Sequence, residues 1–178
     1  MEQIIIKGKR FQKYIDEQQI KKIIDSVVQK INKDYKDKEL ICIVVLNGAF
    51  MFAADLFKHL EGLPKISFVK FSSYKGDKNS GEITKLIGLN ENIENKDVLI
   101  IEDIVDSGAT MAKMRQDLLK LKPKSLEIAS LIFKPSNFKG NYKVKYVGKE
   151  ISEEFIVGYG FDFDGYGRNL KDIYQAVK

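Results

Sequence analysis

Two adjacent carboxylates and a loop of small residues form the segment of the sequence with the clearest chemistry. An apolar run over residues 98–101 leads into Glu102 and Asp103, and the loop 106–110 (DSGAT) follows two residues later. A small-residue loop that enters a helix offers unpaired backbone N–H groups and a positive dipole end, which suit a phosphate. Carboxylates repel phosphate, so Glu102 and Asp103 are better suited to sugar hydroxyls or to Mg²⁺.

The position of this segment in a strand limits what it can bind. Gly108 lets the backbone approach a ligand closely, and Ser107 and Thr110 carry hydroxyls that can donate to a phosphate. Side chains alternate along a strand, so Glu102 and Asp103 can share a ligand only where the strand ends and the backbone turns. Open α/β sheets bind ligands beyond the carboxyl ends of their strands. The segment therefore predicts a phosphate site beside two carboxylates that bind either sugar hydroxyls or Mg²⁺.

The elements that must position this site alternate between strands and helices. Short apolar runs predict four strands and two shorter strand-like pieces, at residues 40–46, 66–71, 98–101, 126–133, 144–147 and 155–159. Apolar residues at three- and four-residue spacing predict helices at residues 15–31, 51–60 and 111–121. This alternation predicts an α/β fold with a mostly parallel twisted sheet flanked by helices, in a single domain of residues 1–178.

Composition excludes several classes of protein. The 178 residues are 44% hydrophobic and 31% charged, as expected of one folded domain. Cys42 and His59 are the only residues of their types, which excludes an internal disulfide, a thiolate-cluster zinc site and a multi-histidine metal site. We expect both to be structural. No apolar run reaches the roughly 18 residues of a membrane span, and the first residues lack a signal-peptide core, so we expect a cytoplasmic protein without a membrane partner.

The net charge of +5 invites a nucleic-acid interpretation, but the charge pattern opposes it. Lysines are dispersed and usually have Asp or Glu nearby, and no compact basic block is present. We therefore expect no nucleic-acid partner, whereas attraction for small polyanions such as phosphates is consistent with the positive field.

The 13 residues from Val98 to Thr110 resemble the 5-phosphoribosyl-1-pyrophosphate (PRPP) motif of the type I phosphoribosyltransferases. That motif has four apolar residues, two acids, two apolar residues and then Asp-Ser/Thr-Gly-x-Thr, and every position matches. The resemblance implies that Glu102 and Asp103 bind the ribose and Mg²⁺. It assigns the 5′-phosphate to Asp106, Ser107, Gly108, Ala109 and Thr110. It also implies the type I fold, with a small hood formed by the N-terminal segment and about residues 134–178.

Further blocks resemble the hypoxanthine phosphoribosyltransferase family. Leu46, Asn47 and Gly48 correspond to the family's pyrophosphate loop, which implies a cis peptide bond between Leu46 and Asn47. Many relatives have Lys in place of Asn47, so side-chain charge at this position plays no part in the mechanism here. The stretch after Phe71 corresponds to a catalytic lid that covers the reaction centre with Ser73 and Tyr74. Because residues 75–82 contain no large apolar side chain, we expect a mobile surface loop there.

The resemblance also assigns the purine site. Lys134 matches the lysine that donates to the purine 6-oxo group, which favours hypoxanthine and guanine over adenine. Phe155 would stack on the purine, and Ile156 would meet the base edge through its backbone. Asp162 matches a Mg²⁺-associated aspartate next to the purine, and Arg168 faces pyrophosphate. Glu154 departs from the family pattern, which often has Lys beside the stacking aromatic residue, and this leaves the guanine preference open.

These residues lead to one prediction of function and two alternatives. We predict transfer of the 5-phosphoribosyl group from Mg²⁺-PRPP to N9 of hypoxanthine, and of guanine, giving IMP or GMP and pyrophosphate. Asp106 is the candidate general base, and the family resemblance implies a homodimer or homotetramer. One alternative is a 6-oxopurine transferase that prefers xanthine. The other is a non-enzymatic PRPP-sensing regulator on the same fold that binds RNA.

Overall fold

The structure is a computed structural model that describes the backbone of residues 2–73 and 83–177, and the side chains of residues 2–70 and 88–177. The described elements are β1 (Gln3–Ile6), β2 (Lys9–Ile15), α1 (Glu17–Tyr35), β3 (Leu40–Leu46), α2 (Phe50–Phe57), β4 (Lys65–Ser73), β5 (Ile83–Ile87), β6 (Asp97–Val105), α3 (Ala109–Leu119), β7 (Ser125–Phe133), β8 (Tyr146–Glu150), β9 (Ile156–Val157) and β10 (Ile173–Ala176). None of the helices in these ranges is long and apolar enough to cross a membrane.

The central sheet has six strands in the order β5-β4-β3-β6-β7-β8. Five of these strands run parallel, namely β4, β3, β6, β7 and β8. The edge strand β5 is antiparallel to its neighbour β4. This confirms the predicted mostly parallel α/β sheet. Its middle strands β3 and β6 are paired in the register Ile41↔Val98 through Val44↔Ile101. Their carboxyl ends therefore lie side by side at one edge of the sheet.

Helices cover both faces of this sheet, and alternation along β3 decides which residues each face receives. Cys42 and Val44 pack with buried residues of α1 and α2, whereas Ile41 and Ile43 pack with Met111, Met114 and Leu118 of α3. A strand that is apolar at every position is the expected sequence for burial on both faces. Helix α1 begins at a capping box in which Asp16 accepts from the N–H of Gln19 and the Gln19 side chain accepts from the N–H of Asp16.

A second, antiparallel sheet joins the two ends of the chain in the order β1-β2-β10-β9, and we call it the terminal sheet. Its own small core contains Phe11, Val157 and Tyr174. The strand-like piece predicted at 155–159 is only the two residues of β9, and β1, β2, β5 and β10 were not predicted from their sequences. In β2, charged residues surround the buried Phe11 and Ile15, so no apolar run marks the strand.

A buried carboxylate ties the terminal sheet to α1. Asp172 is 3% exposed, accepts the backbone N–H of Glu17 at 2.8 Å and pairs with the Lys13 ammonium at 2.8 Å. Burial opposes ionisation of Asp172, but these two donors outweigh burial and lower its pKa. A depressed pKa in the folded state stabilises the protein above the unfolded-state pKa, and this contribution is lost as the pH falls through the folded-state pKa.

We expect Asp172→Asn to lower the free energy of unfolding by about 1.5–3 kcal/mol at pH 7, the usual loss for one hydrogen bond to a charged group. Urea unfolding measures this, and the deficit should shrink in acid, where the wild-type carboxylate is also protonated. The matched control is Asp117→Asn. Within the described residues, Asp117 pairs with the exposed Lys113 and Lys120, so this variant should lose far less stability. Equal losses in both variants would contradict the assigned role of Asp172.

Candidate functional site

Loops from three strands meet at the carboxyl edge of the central sheet. The loop after β3 contains Asn47 and Gly48, the loop after β6 contains Asp106, and Lys134 directly follows β7. Because β3, β6 and β7 are parallel neighbours, residues that are far apart in the sequence are brought together here. The peptide bond between Leu46 and Asn47 is cis, as the family resemblance implies.

The carboxylate pair lies within β6, which continues to Val105 rather than ending at Ile101 as predicted. Pairing of β6 with β3 ends at Ile101, so one edge of β6 is free at the two acids. The N–H of Asp103 donates to Oε1 of Glu102 at 3.2 Å, and the N–H of Ile104 donates to Oδ1 of Asp103 at 2.9 Å. The backbone thus binds these side chains locally.

Burial dominates the electrostatics of this pair. Removal from water, together with the neighbouring Asp103 carboxylate, raises the pKa of Glu102 well above its usual range. Burial also raises the pKa of Asp103, although a hydrogen bond with Glu102 and the positive charge of Arg168 oppose the rise. Two neighbouring, partly buried like charges are unfavourable without a counterion, so the pair is suited to a divalent cation or to hydroxyl donors of a sugar.

Direct contact joins this pair to the loop after β3. A Cβ atom on Gly48 would lie 1.7 Å from Oδ2 of Asp103, well inside van der Waals contact. Any larger residue at this position would displace the Asp103 carboxylate, so the backbone of the predicted pyrophosphate loop packs directly against the predicted ribose-binding carboxylate. The structure brings these two predicted subsites together.

A cleft of about 570 Å³ opens beside that loop. Its lining includes Leu46, Asn47 and Phe50 on one side and Tyr166, Arg168 and Asn169 on the other. The guanidinium of Arg168 is held by the carbonyl of Gly160 at 2.7 Å and by Oδ1 of Asp162 at 2.6 Å. The structure thus places Arg168 in one cleft with Leu46 and Asn47, where a cation can attract an anionic ligand.

Asp162 makes contacts of a different kind from those predicted for a metal ligand. Its Oδ1 pairs with Arg168, and its Oδ2 accepts the N–H of Gly165 at 2.7 Å. Across the described ranges, no three His, Cys, Asp or Glu side chains converge as a metal site. The structure therefore does not bring Asp162 into one cluster with Glu102 and Asp103. Glu102 and Asp103 fit Mg²⁺, because proteins often hold this ion with one or two carboxylates plus substrate phosphates.

Asp106 has a donor on each of its carboxylate oxygens. The Asn137 amide donates to Oδ1 at 3.0 Å, and the Lys134 ammonium lies 3.5 Å from Oδ2. The Lys134 side chain is only 9% exposed, whereas that of Asp106 is 47% exposed. A buried cation thus faces a carboxylate that remains accessible, and the two present a donor and an acceptor side by side.

The predicted phosphate loop ends where α3 begins. Gly108 is the N-cap with φ of +79°, a left-handed conformation that favours glycine, and Ala109 and Thr110 form the start of the helix. The Tyr142 hydroxyl donates to the carbonyl of Gly108 at 2.8 Å. The N–H of Lys139 donates to the carbonyl of Ser107 at 3.1 Å. Two carbonyls of the loop are thereby bound. The exposed N-terminal end of α3 has the geometry expected of an anion-binding site.

Phe155 lies at the rim of the terminal sheet, where it is 45% exposed. Its ring contacts Phe11 and Phe163, with centroid distances of 6.2 and 5.8 Å, and the Lys9 ammonium lies 4.7 Å from its centroid. Ile156 follows in β9, where it pairs with Gln175. An exposed aromatic ring held by buried neighbours can serve as a stacking platform. Burial raises the pKa of Tyr14, and the negative charge of Glu154, the departure from the family pattern, raises it further.

Several predicted residues lie outside the site or outside the described chain. Ser73 ends β4, and Tyr74 with residues 75–82 lies outside the described residues. Cys42 is buried in the core, and burial raises the pKa of its thiol to about 12, consistent with a structural role. His59 follows α2, which ends at Phe57, earlier than the predicted helix end, and its carbonyl accepts from the Asn32 amide at 3.1 Å.

Sequence reasoning missed three residues that contact the site: Asn137, Tyr142 and Lys9. Asn137 and Tyr142 lie in a polar stretch with no periodicity, and their targets are loop atoms that only the folded chain brings near them. Lys9 resembles many other lysines in the sequence. One available signal was Pro135, which marks a turn directly after Lys134.

Comparison with known proteins agrees with this arrangement. Residues 12–164 match the model of the phosphoribosyl transferase domain. The chain is 45% identical over 160 residues to the hypoxanthine-guanine phosphoribosyltransferase of Staphylococcus epidermidis, covering 89% of each chain. It is also similar to two crystal structures. A hypoxanthine phosphoribosyltransferase from Staphylococcus aureus has 40% identity, TM-score 0.87 and coverage of 93% and 91% of the two chains. A hypoxanthine-guanine phosphoribosyltransferase from Bacillus anthracis has 36% identity, TM-score 0.85 and coverage of 93% and 96%.

Proposed function

The chain belongs to the phosphoribosyltransferase family, and on this basis we propose that it transfers the 5-phosphoribosyl group of PRPP to N9 of hypoxanthine and guanine. The products are IMP or GMP and pyrophosphate, so the reaction recovers purine bases for nucleotide synthesis. The observation that carries the proposal is the pairing of Lys134 with Asp106 beside the phosphate loop. A donor and an acceptor side by side match the 6-oxo group and the N7–H of a 6-oxopurine.

The sugar half of PRPP binds along the edge formed by β6 and α3. The 5′-phosphate accepts hydrogen bonds from the Ser107 and Thr110 hydroxyls and from backbone N–H groups at the start of α3. The ribose hydroxyls donate to Glu102 and Asp103, which are partly buried and therefore less hydrated than surface carboxylates. The pyrophosphate lies in the cleft of Asn47 and Arg168. Holding these three groups at fixed positions leaves the ribose C1′ facing the base.

Transfer forms one bond and breaks another at C1′. The purine N9 attacks C1′, and the bond from C1′ to the pyrophosphate oxygen breaks, so the bonding pair leaves with pyrophosphate. Asp106 accepts the N7 proton as positive charge develops on the imidazole part of the base. A carboxylate is a weak base, but it suffices when the proton becomes acidic during the reaction. When bound, Mg²⁺ held by Glu102 and Asp103 neutralises negative charge on the leaving pyrophosphate.

The purine is held by contacts on its face and its edge. Phe155 stacks on the ring, the Lys134 ammonium donates to the 6-oxo oxygen, and backbone groups of Ile156 meet the opposite edge. Asp162 orients Arg168 next to the purine, and we keep its carboxylate as a third candidate Mg²⁺ ligand, because each carboxylate oxygen can accept more than one partner. We propose that Ser73 and Tyr74 belong to a lid that limits capture of the reactive ribose carbon by water.

Residues 1–178 form one phosphoribosyltransferase domain in this proposal. Its hood consists of the N-terminal segment and about residues 134–178, which contribute the four strands of the terminal sheet. We further propose a cytoplasmic homodimer or homotetramer, and analytical ultracentrifugation of the purified protein tests the oligomeric state.

A spectrophotometric assay with PRPP, Mg²⁺ and each base in turn tests the function. Hypoxanthine and guanine should both be consumed, with stoichiometric release of pyrophosphate. The names of the similar proteins disfavour a xanthine preference and a non-enzymatic RNA-binding regulator. Turnover of xanthine above that of hypoxanthine would contradict the proposal, as would the absence of turnover with any base.

Thr110→Ala should lower the affinities for PRPP and for IMP by the same factor, because both ligands carry the 5′-phosphate. Loss of one hydrogen bond to a charged group costs about 1.5–3 kcal/mol, which corresponds to roughly 10- to 150-fold in affinity. Calorimetric titration measures this, with pyrophosphate alone as the control ligand, whose affinity should stay unchanged. A similar loss for pyrophosphate would show that the loop binds the other phosphate group of PRPP.

A further inference from the structure

One turn after β7 delivers both donors that hold Asp106. The N–H of Asn137 donates to the carbonyl of Lys134 at 3.2 Å, which closes the four-residue turn Lys134-Pro135-Ser136-Asn137. Proline at the second position of such a turn has its φ already fixed. The N–H of Lys134 in turn donates to the carbonyl of Val105 at 3.0 Å, which anchors the turn to the end of β6. The side chains at both ends of the turn therefore meet one carboxylate.

The two donors differ in what they contribute. The Lys134 ammonium lies at 3.5 Å from Oδ2, a long contact, whereas the Asn137 amide is at hydrogen-bonding distance, 3.0 Å, from Oδ1. In the proposed function, Lys134 also donates to the purine, so its contact with Asp106 is shared during the reaction. Asn137 has no such second task. Its amide must present N–H rather than C=O to Asp106, because an ionised carboxylate only accepts.

Asp106 needs such support because it is 47% exposed and stands on a loop. A catalytic group is efficient only when its orientation is fixed, and a displacement of about 1 Å can cost about 100-fold in rate. The same segment also binds Ser107 and Gly108 through Lys139 and Tyr142. Residues 134–142 thus hold three consecutive residues of the loop, and Asn137 is the member that acts on the carboxylate itself.

We propose that Asn137 is a positioning residue that orients the Asp106 carboxylate toward the purine N7 proton. This inference rests on the proposed function, in which Asp106 is the general base. It assigns a role to a side chain outside the PRPP motif and outside the residues that face PRPP. Asn137 acts through Asp106, so its effect should appear in turnover and should depend on the presence of that carboxylate.

The test compares Asn137→Ala and Asn137→Asp in the wild-type and Asp106→Asn backgrounds. Asn137→Ala should lower kcat by roughly 10-fold or more, as expected for one hydrogen bond to a charged group, with the KM for PRPP nearly unchanged. Asn137→Asp keeps the size of the side chain but places a like charge against Asp106, so the loss should be larger. In the Asp106→Asn background, Asn137→Ala should change kcat by less than about 2-fold, because the coupled partner is already gone.

Ser136→Ala is the matched control, since Ser136 lies in the same turn and its side chain forms no hydrogen bond within the described part of the chain. The kcat of this variant should equal that of the wild-type protein. Thermal unfolding and IMP titration check that each variant is folded. A normal kcat for Asn137→Ala, or an equal loss in both backgrounds, overturns the inference while Asp106 keeps its role. Full turnover of Asp106→Asn alone would instead overturn the general-base assignment, and the inference with it.

Discussion

Asp106→Asn is expected to lower kcat by about 10²–10⁴-fold, the usual range for loss of a general base. The affinity for IMP should change little. Asparagine keeps the shape of the side chain and can still accept one hydrogen bond from Lys134 or Asn137, so the site should stay assembled. It cannot take up the N7 proton, and the positive charge that develops on the base then has no partner. Initial rates with saturating PRPP and hypoxanthine, together with IMP titration, measure the two effects.

Asp117→Asn serves as the matched control for this experiment. It removes the same charge from the exposed surface of α3, so its kcat should equal that of wild type. If Asp106→Asn also turned over at the wild-type rate, Asp106 would have no part in proton transfer. A comparable loss of IMP affinity would instead assign Asp106 to nucleotide binding.

Adenine should be rejected by about 10⁴-fold in kcat/KM relative to hypoxanthine, the discrimination that mismatched buried polar groups can supply. The Lys134 ammonium only donates, and the 6-amino group of adenine also donates at that edge. The Lys134 side chain is 9% exposed, so water cannot readily replace the missing acceptor. Lys134→Ala should raise the KM for hypoxanthine far more than the KM for PRPP.

The control for this substitution is Lys143→Ala, which removes an exposed lysine a few residues further along the chain and should leave both KM values unchanged. Rates with hypoxanthine, guanine and adenine at fixed PRPP provide the comparison. Efficient ribosylation of adenine by the wild-type protein would show that Lys134 does not select for the 6-oxo group. The assignment of 6-oxopurines as the substrates would then be wrong.

The central sheet was predictable because its strands carry strong local signals. Leu40–Leu46 is apolar at every position, and the structure gives β3 these same bounds. The terminal sheet lacks such signals. Phe11 and Ile15 are the buried residues of β2, their neighbours in the strand are charged or polar, and the partner strand β10 comes from the other end of the chain. The pairing of β2 with β10 joins distant parts of the chain, and no local pattern encodes it.

The site could be predicted in part for a similar reason. Glu102 and Asp103 are adjacent in a motif, so the sequence alone identifies them. The contact between Gly48 and Asp103 depends on the register of β3 against β6, and the hydrogen bond from Asn137 to Asp106 depends on a turn folding back over a loop. Asparagine is common in turns, so its type carries little information. Supporting contacts of this kind become visible only once neighbouring strands are paired.

The terminal sheet also has a consequence for biosynthesis. Strand β2 is synthesised well before its partner β10, and β10 pairs with both β2 and β9. The central strands β3 to β8 pair with one another within the intervening chain, although the core on one face of their sheet also contains Ile15, Ile156 and Ile173. A nascent chain can therefore pair its parallel strands before β10 is available to pair with β9, the strand that follows Phe155. Affinity for purine should then arise only after β10 has been synthesised, so chains truncated before β10 should not bind the base.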